Sequence, residues 1–278
     1  MTHIDLGELQ GTLLLFGGPY SNLQATQALQ QRAAQLHIDP ANILCTGDAV
    51  AYCAQPNETL QCLRDWGVTL LMGNCEESLA WDANNCGCGF EAGSACDMLS
   101  DSWYRYASKT VQPQHKDWLR TLPRSIGFSF QNKTFAVVHG GVEKINQFIF
   151  QSTDEQLKLD QIKLAQVDGI VAGHCGLPFS QIIENRLWHN PGVIGMPAND
   201  GMQQVWYALW HPAGDKILIE HHSLEYNAAE AKRCMLEAGL NNGYTEALET
   251  GLWPSMDVLP DREKWQRGKK ISETTLLF

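Results

Sequence analysis

Ile43-Leu44-Cys45-Thr46-Gly47-Asp48 and Val68-Thr69-Leu70-Leu71-Met72-Gly73-Asn74 decide the fold class. Each is a short apolar run that stops at a glycine followed by a polar residue. An apolar run of that length, closed by a turn signal, predicts a buried strand. Between them, Pro56 to Trp66 predicts a helix whose proline sits at the start, where a missing N–H is harmless. Upstream, Thr12 to Phe16 is another apolar run, ending at Gly17-Gly18-Pro19. Asn22 then stands as an N-cap before a helical stretch from Leu23 to Leu36. The order strand, helix, strand, helix, strand predicts a parallel sheet with right-handed crossovers. Ligands bind such sheets at the carboxyl ends of the strands, where Gly47-Asp48 and Gly73-Asn74 fall.

The same punctuation recurs downstream. Phe135 to Val138 predicts a strand ending at His139-Gly140-Gly141, and Gly169 to Ala172 one ending at Gly173-His174. Leu187, Val193 to Gly195, Val205 to Leu209 and Ile217 to Ile219 read as later strands. Asp117 to Leu122 reads as a short helix closed by Pro123, and Asn227 to Leu240 as a helix closed near Gly243. Asn84 to Gly93, rich in glycine, cysteine and asparagine, reads as a loop within an insertion at about 81–108. No linker divides the chain. One domain is expected over 1–222, with a helix and a proline- and charge-rich surface tail of the same domain over 223–278.

Composition narrows the function. The chain has 278 residues, 44% hydrophobic and 18% charged, enough to bury a core without disulfides. Its 20 basic and 31 acidic residues give −11, which repels nucleic-acid backbones and anionic membranes. No signal-peptide pattern and no apolar run of about 20 residues is visible, so a cytoplasmic location is expected. Nine cysteines are then expected to be thiols or metal ligands. Oligomeric state is not written in the pattern.

Asp48, Asn74, His139 and His174 form an O,O,N,N set that suits a dication such as Mn, Fe or Zn. Each alone reads equally as a turn, cap or core residue. All four following short apolar runs in one α/β chain is the informative pattern.

Those motifs, in order, resemble the calcineurin-like metallophosphoesterases. Met72-Gly73-Asn74-Cys75-Glu76 resembles the family's Gly-Asn-His-Asp/Glu, and Gly173 to Phe179 resembles Gly-His-Thr-His-Leu-Pro-Phe. Asn190-Pro191-Gly192 with Gly195-Met196-Pro197 resembles the Asn-Pro-Gly-Ser-x-Gly-x-Pro of its bacterial predicted-phosphatase branch. Phe16 to Ala25 resembles Phe-Ser-Asp-x-His-Gly-Asn-Leu-x-Ala. The resemblance implies a four-layer α/β/β/α sandwich and hydrolysis of a small phosphorylated substrate at two metals. Residue by residue, Asp48 matches the bridging carboxylate, and Asn74, His139 and His174 the other ligands of the second metal. Gly18, Tyr20 and Gly176 stand where the first metal's own ligands belong. Cys75 replaces the histidine that assists the leaving group, and Ala198 follows Pro197 where an arginine is often found. A single divalent ion is therefore expected, with Asp48, Asn74 and His139 as the catalytic residues.

Two readings follow. One is a phosphate-ester hydrolase with a reduced or remodelled metal site. The alternative is a catalytically inactive phosphoesterase-fold protein that binds a ligand, metal or partner, with the Tyr20 ring in the vacated metal space. Cys75, Cys86, Cys88 and Cys96 are candidate thiolate ligands for a soft metal in that space. The adjacent His221 and His222 point to opposite faces of a strand and are expected to be structural.

Overall fold

The computed structural model describes residues 2–91 and 93–278. Its strands are β1 (His3–Glu8), β2 (Leu13–Phe16), β3 (Ile43–Cys45), β4 (Thr69–Leu70), β5 (Ser125–Phe130), β6 (Lys133–Val138), β7 (Gly169–Ala172), β8 (Phe179–Ile183), β9 (Arg186–Asn190), β10 (Val205–Ala213), β11 (Lys216–Leu224) and β12 (Thr274–Leu277). Its α-helices are α1 (Leu23–Gln35), α2 (Pro56–Trp66), α3 (Asn74–Ala80), α4 (Ala95–Thr110), α5 (Pro113–Leu119), α6 (Glu155–Ala165), α7 (Ala228–Glu237), α8 (Gly243–Thr250) and α9 (Asp261–Trp265).

The strands make two six-stranded sheets, ordered β1-β5-β6-β7-β9-β8 and β12-β11-β10-β2-β3-β4. Strands β2, β3 and β4 run parallel, as the alternation predicts, while β10, β11 and β12 extend that sheet antiparallel. Strand residues alternate between two cores because successive side chains leave opposite faces. Leu13, Leu15 and Leu44 point between the sheets, with Phe128, Phe135, Val171 and Trp210. Leu14, Phe16, Ile43 and Cys45 point outward, beneath Leu29 of α1, Leu60 of α2 and Met235 of α7. The other sheet's outer face, with Ile170 and Trp188, is covered by Ile162 of α6 and by Leu259 of the tail. Helix, sheet, sheet, helix is the four-layer arrangement expected. No helix among the described residues is long and apolar enough to cross a membrane.

Several elements differ from expectation. Only Thr69 and Leu70 of the third apolar run are strand. Beyond them Leu71 N–H donates to Cys45 O at 3.0 Å and Met72 N–H to Pro123 O at 2.8 Å, so the chain leaves the sheet and delivers Gly73 to the site. The stretch at 81–108 is a loop only in its first half, because Ser94 accepts from Asp97 N–H and starts α4. The tail does not merely wrap the surface. Thr274–Leu277 pairs with β11, and Phe278 is buried in the inter-sheet core.

Candidate metal centre

The strand ends converge through tight backbone contacts. Gly18 N–H donates to Gly47 O at 3.0 Å, and Gly173 N–H to His139 O at 2.7 Å. Gly47 has φ +98, and a Cβ there would stand 2.7 Å from Gly73 N and 2.9 Å from His139 Nδ1, so only glycine fits. Tyr20, Asp48, Tyr52 and His174 are all non-glycine residues at positive φ. Such strained residues persist only where the surrounding structure holds them, and they concentrate at functional sites.

Asp48, Asn74, His139 and His174 meet at one point. His139 Nδ1 lies 2.7 Å from Thr46 O, so Nδ1–H donates there and Nε2 presents its lone pair to the site. That Nε2 lies 3.0 Å from Asn74 Oδ1, 3.2 Å from His174 Nδ1 and 3.2 Å from Asp48 Oδ2. Asn74 donates its amide N–H to Cys86 O at 2.9 Å, which turns its oxygen inward. The amide oxygen and the carboxylate are acceptors, and one imidazole nitrogen cannot satisfy both and a second imidazole as well. A cation resolves such a cluster of facing lone pairs. The ligand atoms of Asp48, His139 and His174 lie within 4.8 Å of one another, and His174 Nε2 is buried without a hydrogen-bond partner. The donor set therefore fits a borderline divalent ion.

The charges agree. Burial opposes ionisation of Asp48, but the adjacent His139 prevails and holds the carboxyl below its usual range. Burial also opposes a charged His139, which Asp48 nevertheless raises, so a cation at Nε2 competes with a proton shared with Asp48. Burial, with His139 beside it, pushes His174 down to about 3, leaving it neutral and free to ligate. Glu76, quoted in the sequence motif only as its last residue, proves to organise the site. Its buried carboxylate accepts from Asp48 N–H at 2.7 Å, Gly73 N–H at 2.9 Å and Val50 N–H at 3.1 Å.

Aromatic rings cover Gly18 and Gly176, two of the positions at which the resemblance expects ligands of a first metal. A Cβ on Gly18 would lie 2.5 Å from Tyr20 Cζ, so that ring occupies the space of a side chain at 18. A Cβ on Gly176 would lie 3.3 Å from the Trp253 indole, anchored by Nε1–H donation to Pro197 O at 2.7 Å. Tyr20 packs edge-on against Tyr52 at 4.7 Å, and Tyr52 stacks on Tyr244 at 4.2 Å. Trp253 lies in the stretch over 223–278 expected to be a surface tail. Its place over Gly176 rests on a contact far apart in the chain, with no local signal.

The thiolate expectation is corrected. Cys86 and Cys88 are joined in a disulfide, so neither offers a thiolate. Cys75 is buried, its N–H donating to Asp48 Oδ1 at 3.3 Å, and burial followed by the Asp48 charge raises its thiol well above the usual value. Burial also raises Cys96. No cysteine joins the metal-holding cluster among the described residues. His221 is structural as expected, its Nε2–H donating to Asn190 O at 3.0 Å.

Beside Asp48 and His174 opens a cavity of about 60 Å³, walled largely by Tyr20, Tyr52, Phe148, Tyr244 and Trp253. The sequence model for calcineurin-like phosphoesterases matches residues 3–230. The chain belongs to the calcineurin-like phosphoesterase family. This family consists of hydrolases that use divalent metals, which accords with the ligand cluster above. Among relatives, the chain is 24% identical over 249 residues to uncharacterized protein MJ0912 of Methanocaldococcus jannaschii, covering 84% of this chain and 95% of that one. In fold it is similar to a metallophosphoesterase from Sphaerobacter thermophilus, with TM-score 0.67 and 20% identity over 88% of this chain and 100% of the other. It is also similar to hypothetical protein PH1004 of Pyrococcus horikoshii OT3, with TM-score 0.74 and 14% identity over 86% and 98%.

Proposed function

We propose that this phosphoesterase-family chain hydrolyses a phosphate ester with one divalent ion held by Asp48, Asn74, His139 and His174. The observation that carries the reading is the convergence of Asp48, Asn74 and His174 on His139 Nε2, at 3.0 to 3.2 Å. A bound dication supplies Lewis acidity toward a phosphoryl oxygen and makes a neighbouring water more acidic. The chain's own residues do the rest. Thr46 O fixes the His139 tautomer, Glu76 fixes the backbone that carries Asp48, and Cys86 O aims the Asn74 oxygen. The rings of Tyr20 and Trp253 stand over the positions of the first metal's ligands, so the symmetric two-ion clamp is replaced by an apolar wall.

Loading with Mn, followed by metal analysis and turnover of bis(p-nitrophenyl) phosphate, tests the reading. One ion per chain is expected in the parent. Asp48→Asn keeps an oxygen donor but removes the ligand's negative charge, and should lower turnover at least about 100-fold. A parent that holds no ion, or that turns over no faster than Asp48→Asn, overturns the assignment. The rings over Gly18 and Gly176 favour a second reading, a phosphoesterase fold kept for binding alone. Stoichiometric metal without turnover above the Asp48→Asn control would select it.

A further inference from the structure

Five of the chain's 20 basic residues fall within positions 262–270, a local positive region in a chain of net charge −11. Lys264 pairs with Asp261 at 3.6 Å, but Arg262, Arg267, Lys269 and Lys270 join no ion pair among the described residues. All four border one groove of about 390 Å³, a volume typical of small-ligand sites. Like charges gathered in this way repel one another, and a bound anion relieves that cost.

The fold makes the groove. Strands β8 and β12 end the two sheets, so each keeps one edge that pairs with no other strand. Phe179 and Ser180 of β8 and Thr274 to Leu276 of β12 line the groove, at the open side of the sandwich. The segment that carries the cations is fastened beside it. Gly268 N–H donates to Asn199 O at 2.9 Å, and Ile271 N–H to Asp200 Oδ2 at 3.0 Å. A segment held in place loses less freedom when a ligand binds. Two carboxylates also border the groove, and both are engaged by neutral donors. Asp200 accepts from Met202 and Ile271 N–H, and Glu263 from Ser152 N–H and Oγ–H. The cations still outnumber them.

The donors indicate the anion. Guanidinium and ammonium groups only donate, and the arginine fork matches phosphate oxygens in pairs. A single phosphate fills little of this volume, whereas linked phosphates meet several cations at once. No residue lines both this groove and the cavity beside Asp48 and His174. We propose that the groove between β8 and β12 binds a compact polyphosphate anion, apart from the metal centre, through Arg262, Arg267, Lys269 and Lys270.

Calorimetry at low salt would compare inorganic tripolyphosphate, orthophosphate and citrate as probes. Tripolyphosphate should bind the parent at least about tenfold more tightly than either of the others. Arg267→Ala with Lys269→Ala and Lys270→Ala should weaken it at least about tenfold, while His174→Ala, at the metal centre, should change it by less than about twofold. Ser272→Lys adds a cation at the exposed rim and should strengthen binding about threefold, a gain that misfolding cannot mimic. Tripolyphosphate binding that survives the triple change, that His174→Ala abolishes, or that Ser272→Lys fails to strengthen overturns the site. Equal affinity for orthophosphate overturns the need for linked phosphates, and equal affinity for citrate overturns the choice of phosphate. Mn content and turnover of the same proteins test the hydrolase reading separately, since neither depends on the groove.

Discussion

Gly18 and Tyr20 act as one feature. The glycine has no side chain because the tyrosine ring occupies that volume, and both have positive φ. Gly18→Asp, which places a carboxylate at the position of the family's ligand, must collide with the ring and should destabilise by about 2–3 kcal/mol. The same change with Tyr20→His should cost less than the sum of the two single changes, by at least about 1 kcal/mol, since the ring that blocks it is gone. Urea unfolding of the four proteins measures this coupling; additive energies would show that the ring and the glycine are independent. The four candidate ligands were legible one by one because each closes a short apolar run, Asp48, Asn74 and His174 just after a glycine and His139 just before one. The rings over Gly18 and Gly176 were not, since nothing in a tyrosine or a tryptophan states which glycine it will cover.

At the scale of elements, the start of α3 ties the loop after β3 to the loop after β4. Glu76, in the first turn, reaches back to Gly73 N–H and across to Asp48 and Val50 N–H. The Gly73 contact is the glutamate half of a capping box, and the other two bind a neighbouring loop in its strained path. Burial, with Asp48 beside it, raises this carboxyl to about 7. Glu76→Ala strands three buried donors and should lower stability by about 3 kcal/mol or more. It should also weaken Mn binding, because the backbone carrying Asp48 is released. A variant with parental stability and Mn affinity would show that water replaces the carboxylate. Strands β1 and β5 went unseen in the sequence for a related reason. The exposed run His3–Glu8 has only Ile4 and Leu6 as apolar residues, and it is a strand because β5, whose own alternation of Ile126, Phe128 and Phe130 was overlooked, lies beside it.

Across the whole molecule, His189 of β9 and His221 of β11 join the two sheets. Their rings lie 5.0 Å apart, and Trp210 packs edge-on against His189 at 5.2 Å. Burial lowers both, His221 to about 4 and His189 well below the usual value. An unfolded histidine takes up its proton near pH 6.5, whereas the folded His221 resists until about pH 4. The unfolded chain therefore binds more protons within that window. Stability is full above about pH 6.5 and falls as the pH drops toward 4, by about 2 kcal/mol at pH 5 for His221 alone. His221→Gln should flatten the profile by that amount between pH 7 and 5, whatever its effect at pH 7. Urea unfolding at those two pH values decides it, and an unchanged slope would mean that the pair stays hydrated.

By itself the sequence determined the order of the central strands, the helices between them and the four polar residues at their carboxyl ends. Those signals are local: a short apolar run, a glycine that lets the chain turn, and a polar residue just beyond it. The antiparallel extension of one sheet, the burial of Phe278, the Cys86–Cys88 bond and the indole over Gly176 were decided only by tertiary structure. Apart from the cysteine bond, which depends on how a glycine loop folds, each joins residues far apart in the chain. No local period or turn encodes such contacts. They form when two sheets and their helices close on a shared core and each vacant volume takes the side chain that reaches it.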